Sequence, residues 1–169
     1  MTWAEDDTRR MAPQGTGRGS MIIIQALASL ALRIAVAYPF WLSGLTKWSG
    51  FLELAPSTKY LFANEYTLHV PSDWGKFWVL DQEMAMPYPE IAAWASSFGE
   101  ILLPAALVIG FATRLSALGI LAMIFTIFLV YPQHWQTETL PWAAMALALV
   151  AYGPGLFSFD RLIWNSIRR

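Results

Sequence analysis

The sequence predicts an all-α membrane protein: a polytopic, four-transmembrane-helix bundle with an amphipathic outer segment between its first and second helices. Three observations predict it. Four apolar stretches, about residues 21–47, 88–110, 112–131 and 139–159, approach the roughly 20 residues needed to span hydrocarbon. Between the second and third, the turn at Gly110 to Thr113 is too short for anything but an antiparallel hairpin. Well inside the first two stretches lie one cation, Arg33, and one carboxylate, Glu100, each of which needs a partner away from water.

Length and composition alone, 169 residues with 56% hydrophobic content, fit a greasy globular domain as well as a small membrane protein. The clustering of the apolar residues decides for the membrane. The absence of cysteine excludes disulfides, thiolate metal sites and dithiol relays carried by this chain. A net charge of -1 gives no reason to expect a nucleic-acid partner. In a four-span arrangement Arg9, Arg10, Arg18, Arg114, Arg161, Arg168 and Arg169 share one side, against Lys47, Lys59 and Lys76. The positive-inside rule then puts both termini in the cytoplasm.

Residues 1–20 are polar and Gly-rich and read as a mobile cytoplasmic tail, leaving 21–169 as a single membrane domain. The first apolar run continues to Leu45, too long for a signal-peptide core, so it is expected to be a retained anchor. On it Gln25, Ser29, Arg33 and Ala37 recur every four residues and form one stripe facing the bundle. A rise of about 1.5 Å per residue puts Arg33 about 21 Å from an outer end at Lys47. At that exit Lys47 and Trp48 read as interfacial anchors, or as contacts to a headgroup or ligand.

The outer segment, 48–87, is punctuated by Pro56, Pro71 and Pro87. Ser72 and Asp73 are placed to cap a short helix with Trp74, Phe77 and Trp78 on one side, lying in the interface or over the mouth of the bundle. His69 lacks the second histidine or cysteines of a metal site.

On the second helix Ala93, Ser96 or Ser97, Glu100 and Pro104 share a face, with Glu100 about 18 Å in from Tyr88. An unpaired charge near the bilayer centre costs at least about 2.5 kcal/mol, so Glu100 is expected to pair with Arg33 on the facing, antiparallel helix. Pro104 has no N–H to donate, which frees the carbonyl of Glu100 and gives a guanidinium a second acceptor. Scaffolding and ligand or proton work both remain open for this pair. Arg114, at the inner boundary, is expected to pair with Asp160 after helix four or to anchor on lipid phosphate. The third helix ends at Tyr131 to Trp135, where His134 is placed at the depth of Lys47 and is a candidate proton donor or acceptor. Gly153, Pro154 and Gly155 interrupt the fourth stretch, and such a break needs cover from protein or a wet cavity.

No Gly-rich phosphate loop, Ser-His-Asp arrangement or HExxH helix is present. With His69 and His134 outside the spans, bis-histidine haem is unsupported; neither metal nor haem is expected.

Arg33, the SGLTKW exit, the GEILLPAALVIGFATRLSAL hairpin, YPQHW and GPGLFSFDRL together resemble the DoxX family of small four-helix inner-membrane proteins, from Leu30 to about Leu162. The resemblance implies motif positions at Arg33, Lys47, Glu100, Thr113, Arg114, Gly153, Gly155 and Asp160, and an association with quinone-linked electron transfer or stress response. Residues 59–84 match the wider family weakly. The expected function is a quinone-associated accessory subunit of a redox or stress-defence system in the cell inner membrane. Trp41, Lys47, Trp48, His134 and Trp135 are its candidate quinone or headgroup contacts. The alternative is a non-catalytic anchor or assembly partner for a soluble redox or metal-handling protein. Membrane lipid and further copies of the chain are the other expected partners.

Overall fold

Four helices pack as a ring in a computed structural model that describes residues 15–73, 79–156, 158–161 and 166, with side chains from residue 19 onward. Helix α1 (Gly15–Thr46) contacts α3 (Pro89–Ile109) and α5 (Leu140–Tyr152), and α4 (Thr113–Val130) closes the ring between α3 and α5. A short helix, α2 (Pro56–Asn64), and two antiparallel strand pairs fill the segment between α1 and α3: β1 (Trp48–Gly50) with β2 (Glu53–Leu54), and β3 (Thr67–Val70) with β4 (Gln82–Ala85). The strand pairs were not foreseen from the sequence, where aromatic and proline content hides a period of two. The helix expected after Ser72 and Asp73 rests on residues 74–78, outside the described residues. Among the described residues Ser72 bonds Asp81, at 2.7 Å from its N–H and 2.5 Å from its hydroxyl.

Three helical runs, Gly19–Thr46, Pro89–Ile109 and Thr113–Val130, are long and apolar enough to cross a membrane. Their outward faces are apolar, with Ile23, Leu27, Leu102, Leu115 and Phe125 all exposed, as a lipid-facing surface requires. The core between them is Val36, Phe40, Leu107, Ile120, Ile124 and Leu149. The fourth helix is shorter than expected. Its helical run ends at Tyr152, not near residue 159, because Gly153 takes φ +78, a left-handed conformation that glycine adopts without a steric penalty. Its start is prolonged backward by a π turn, Trp135–Thr139. Of the expected tail, residues 15–20 belong to α1, whereas 1–14 lie outside the described residues.

Two ends of the bundle differ in construction. At the hairpin end, α3 stops at Gly110 (φ +77), whose N–H bonds the carbonyls of Ala106 and Leu107, an αL helix stop of the kind glycine favours. Ala112 (φ 45) then begins α4. The first N–H groups of α4 have no partner within their own helix. Asp160 supplies one, accepting from Ala112 N at 2.6 Å and Thr113 N at 2.8 Å, while its own N–H bonds Gly110 O at 3.0 Å. A residue from beyond α5 therefore caps a helix that begins 47 positions earlier.

At the loop end the helices are not level. A Cβ on Gly44 would lie 2.9 Å from the carbonyl oxygen of Glu100, so the last turn of α1 sits on α3 at Glu100. The first three turns of α3 therefore project past α1. Leu54, Phe62 and Ala93, with Trp48, Tyr66 and Trp94 around them, form a second small core on this projection.

Gly110→Ala is expected to destabilise the bundle by at least about 1–3 kcal/mol, the cost of a non-glycine residue in αL. Its Cβ would also meet Arg33 Nη1 at 2.5 Å and the Ser158 backbone at 2.9 Å. Thermal unfolding in detergent measures this, and an alanine variant as stable as the parent would contradict the hairpin geometry.

Candidate functional site

Lys47 follows the last residue of α1, and its backbone is pinned. Its carbonyl accepts from Ala55 N at 2.9 Å and from Thr58 Oγ1 at 3.3 Å. The side chain turns back along α1, where Nζ donates to Ser43 Oγ at 3.0 Å and to Glu100 Oε2 in a close ion pair. Glu100 lies on the buried face of α3 with Ala93, Ser97, Pro104 and Leu107, and its Oε1 accepts from Ser96 Oγ at 3.0 Å. Both side chains are largely withdrawn from solvent, at 13% and 7% exposure.

The partner expected for Glu100 was Arg33, and the structure overturns this. Arg33 is fully buried at the other end of the bundle, where Nη1 donates to Val108 O and Nε to Ser29 O, each at 3.4 Å. Gly110 and Asp160 are its neighbours there. Eleven residues separate Arg33 from Gly44, the residue level with Glu100, so the two charges stand on the order of 16 Å apart along the helix axis. The depth estimate failed because it took the outer ends of α1 and α3 as level. A cation beside the last carbonyls of α3 is instead favoured by the helix dipole. Pro104 does free the Glu100 carbonyl, but Gly44 packs over it where a guanidinium was expected.

The Lys47–Glu100 pair faces a cavity of about 530 Å³. Its apolar walls come from Phe40, Phe62, Met86, Met123 and Trp142, and its polar groups are Ser43, Ser96, Tyr66, Tyr131 and Glu138. Tyr66 and Tyr131 meet edge-on, with ring centroids 6.0 Å apart. Burial, ahead of the contact with Tyr131, pushes the Tyr66 phenol up to about 12, so it stays protonated and able to donate. The apolar-walled cleft with a few convergent polar groups has the form of a small-molecule site.

The other candidate contacts do not line this cavity. Trp41 is 38% exposed on the outer face of α1. Trp48 packs edge-on against Trp94 and Phe98, at 5.8 and 5.2 Å, and its buried Nε1 has no hydrogen-bond partner among the described residues. Trp135 stands edge-on to Phe128. His134 is half exposed, with Nδ1 3.9 Å from Glu138; it reaches the site only through that carboxylate and the edge of Tyr131. His69, set aside from the sequence, has Nδ1 3.1 Å from Leu129 O and thereby docks β3 on the end of α4. Arg114 does not pair with Asp160. Its guanidinium lies 3.3 to 3.8 Å from where a Cβ on Gly153 would be, and Asp160 is engaged by the α4 amides.

Sequence reasoning missed Tyr66 and Glu138. Tyr66 follows α2 in an irregular connection, where no periodicity points it anywhere. Glu138 had a signal, four residues after His134, but the spacing matters only because the chain there is helical. Tyr131 and Ser96 were in view as members of the YPQHW end and the Glu100 face, without a role.

Lipid-facing helices around a buried ion pair define a multi-pass α-helical membrane protein. The DoxX family profile matches residues 28–132, from the middle of α1 through α4, and the chain belongs to the DoxX family. The matched span holds Arg33, Lys47, Glu100 and Arg114 and stops short of α5 and Asp160. No curated protein and no solved structure matches the chain.

Removing one member of a buried ion pair typically costs about 3–5 kcal/mol because the other charge is stranded. Lys47→Met and Glu100→Gln are each expected to destabilise on this scale, with the double variant recovering most of the loss. An Arg33→Met/Glu100→Gln cycle is expected to be additive within about 0.5 kcal/mol, as for distant sites. Thermal unfolding of the six proteins checks both cycles.

The raised Tyr66 pKa also fixes a pH dependence. The folded state holds the phenolic proton more tightly than the unfolded chain, so this contribution is complete below the unfolded pKa near 10. It is lost as pH rises toward about 12. An alkaline titration of phenolate absorbance is expected to show one late-titrating tyrosine, absent in Tyr66→Phe.

Proposed function

We propose that this DoxX protein is a quinone-associated accessory subunit and that the loop-end cavity holds the quinone head. The observation that carries the reading is the convergence of Lys47, Glu100 and the Tyr66–Tyr131 pair on one apolar-walled cavity. A quinone head presents two carbonyl acceptors on a flat apolar ring. The Lys47 ammonium suits one carbonyl and a tyrosine hydroxyl the other, while Phe40, Phe62 and Trp142 offer faces for the ring. Glu100 holds the Lys47 side chain in place, and Glu138 lines the same cavity. The chain carries no electron acceptor of its own sequence-encoded type, so electron transfer falls to a redox partner. On this reading the protein lies in a bacterial-type inner membrane with both termini cytoplasmic, and the cavity opens toward the outer leaflet.

The test is direct binding. Protein purified in mild detergent is titrated with a short-chain ubiquinone analogue, and quenching of tryptophan fluorescence is followed. Saturable binding is expected, weakened about tenfold or more by Lys47→Gln, the loss expected for a hydrogen bond to a charged donor. Tyr66→Phe is expected to weaken it less. Absence of saturable quenching by folded protein in lipid nanodiscs would remove the reading.

A further inference from the structure

At the hairpin end a second space, a groove of about 1320 Å³, lies between α1, the start of α4, the end of α5 and residues 153–156, 160 and 161. We propose that this groove binds the phosphate headgroup of an anionic phospholipid, with an acyl chain laid along its apolar wall. Three features point to that occupant.

The first is charge. Arg114 and Arg161 line the groove and are exposed, and among the described residues neither takes part in an ion pair. The carboxylate that lines the same groove, Asp160, is turned to the Ala112 and Thr113 amides and to buried Arg33. The local balance is therefore positive, and two guanidiniums on one rim suit a phosphate, which they can bind through paired N–H donors.

The second is a polar side chain at the groove. Gln25, exposed on α1 one turn before buried Ser29, is a further donor for the headgroup.

The third is shape. The wall is apolar, from Ile22 and Leu32 on α1 and Leu115 on α4, and both Ile22 and Leu115 are exposed to the lipid side. A free phosphate would leave this wall unused, whereas a phospholipid uses the rim and the wall together. Basic pockets between membrane helices recognise anionic headgroups in this way.

Native mass spectrometry of the intact protein, released from micelles containing equal amounts of phosphatidylglycerol and phosphatidylcholine, tests the proposal. Retention of phosphatidylglycerol is expected to exceed that of phosphatidylcholine by about tenfold or more, as two basic contacts provide. Arg114→Gln/Arg161→Gln is expected to abolish the preference. Arg161→Gln alone, which leaves the packing of Arg114 on Gly153 intact, is expected to reduce it. Lys59→Gln, at the opposite end, is expected to leave it unchanged. Equal retention of the two lipids by the parent protein would overturn the proposal, as would an unaltered preference in both arginine variants, or displacement of the lipid by millimolar inorganic phosphate. None of these outcomes bears on the quinone reading, which concerns the other end of the bundle.

Discussion

The structure depends on the meeting of Lys47 and Glu100. A carboxylate on the inward face of α3 is tolerated away from water only because an ammonium reaches it, and the ammonium reaches it only because α1 ends at that level. Gly44 makes the level possible by admitting the backbone of α3 where any side chain would collide. Ser43 and Ser96 then take up remaining hydrogen-bonding capacity of the pair. Desolvation of such a pair is offset only with good geometry and further hydrogen bonds; one serine on each helix supplies one, and the ammonium keeps a third N–H. The tyrosine pair, the aromatic walls and the cavity are arranged around this one contact.

Much of the fold was legible in the sequence. Apolar runs of spanning length located α3 and α4, and the end of α1, to within a residue or two, because hydrophobicity alone sets those limits; the start of α1 lies six residues earlier than its apolar run. The Gly153 break was legible for the same reason: glycine there punctuates an otherwise continuous run. What composition does not encode is relative height. Arg33 and Glu100 were matched by counting from each helix's outer end, a rule that holds only when neighbouring ends are level. Here the outer segment builds a small core on the projecting turns of α3, and three turns of offset exchanged one partner for another. On local grounds Lys47 reads as an interfacial anchor or a ligand contact, and its pairing with Glu100 comes only from the tertiary contact.

The two ends of the molecule answer the same electrostatic problem differently. At the loop end a single ion pair is closed by two serines. At the hairpin end, Arg33 is shared among the final carbonyls of α3, the Ser29 carbonyl and the neighbourhood of Asp160, so its charge is spread over backbone dipoles. The first arrangement leaves a charged pair beside an open space. In the second, Gly110 and Ser158 close over the guanidinium, while Asp160 lines the neighbouring groove.

The Asp160 cap has a consequence for the order in which the molecule is made. When α3 and α4 first enter the bilayer as a hairpin, the residue that will satisfy the leading amides of α4 has not yet been synthesised. Those amides, and the guanidinium of Arg33, must wait on solvent or headgroups until α5 has packed and the chain behind it returns to the turn. The bundle is thus closed from its C-terminal side, where a residue beyond α5 completes the turn between α3 and α4.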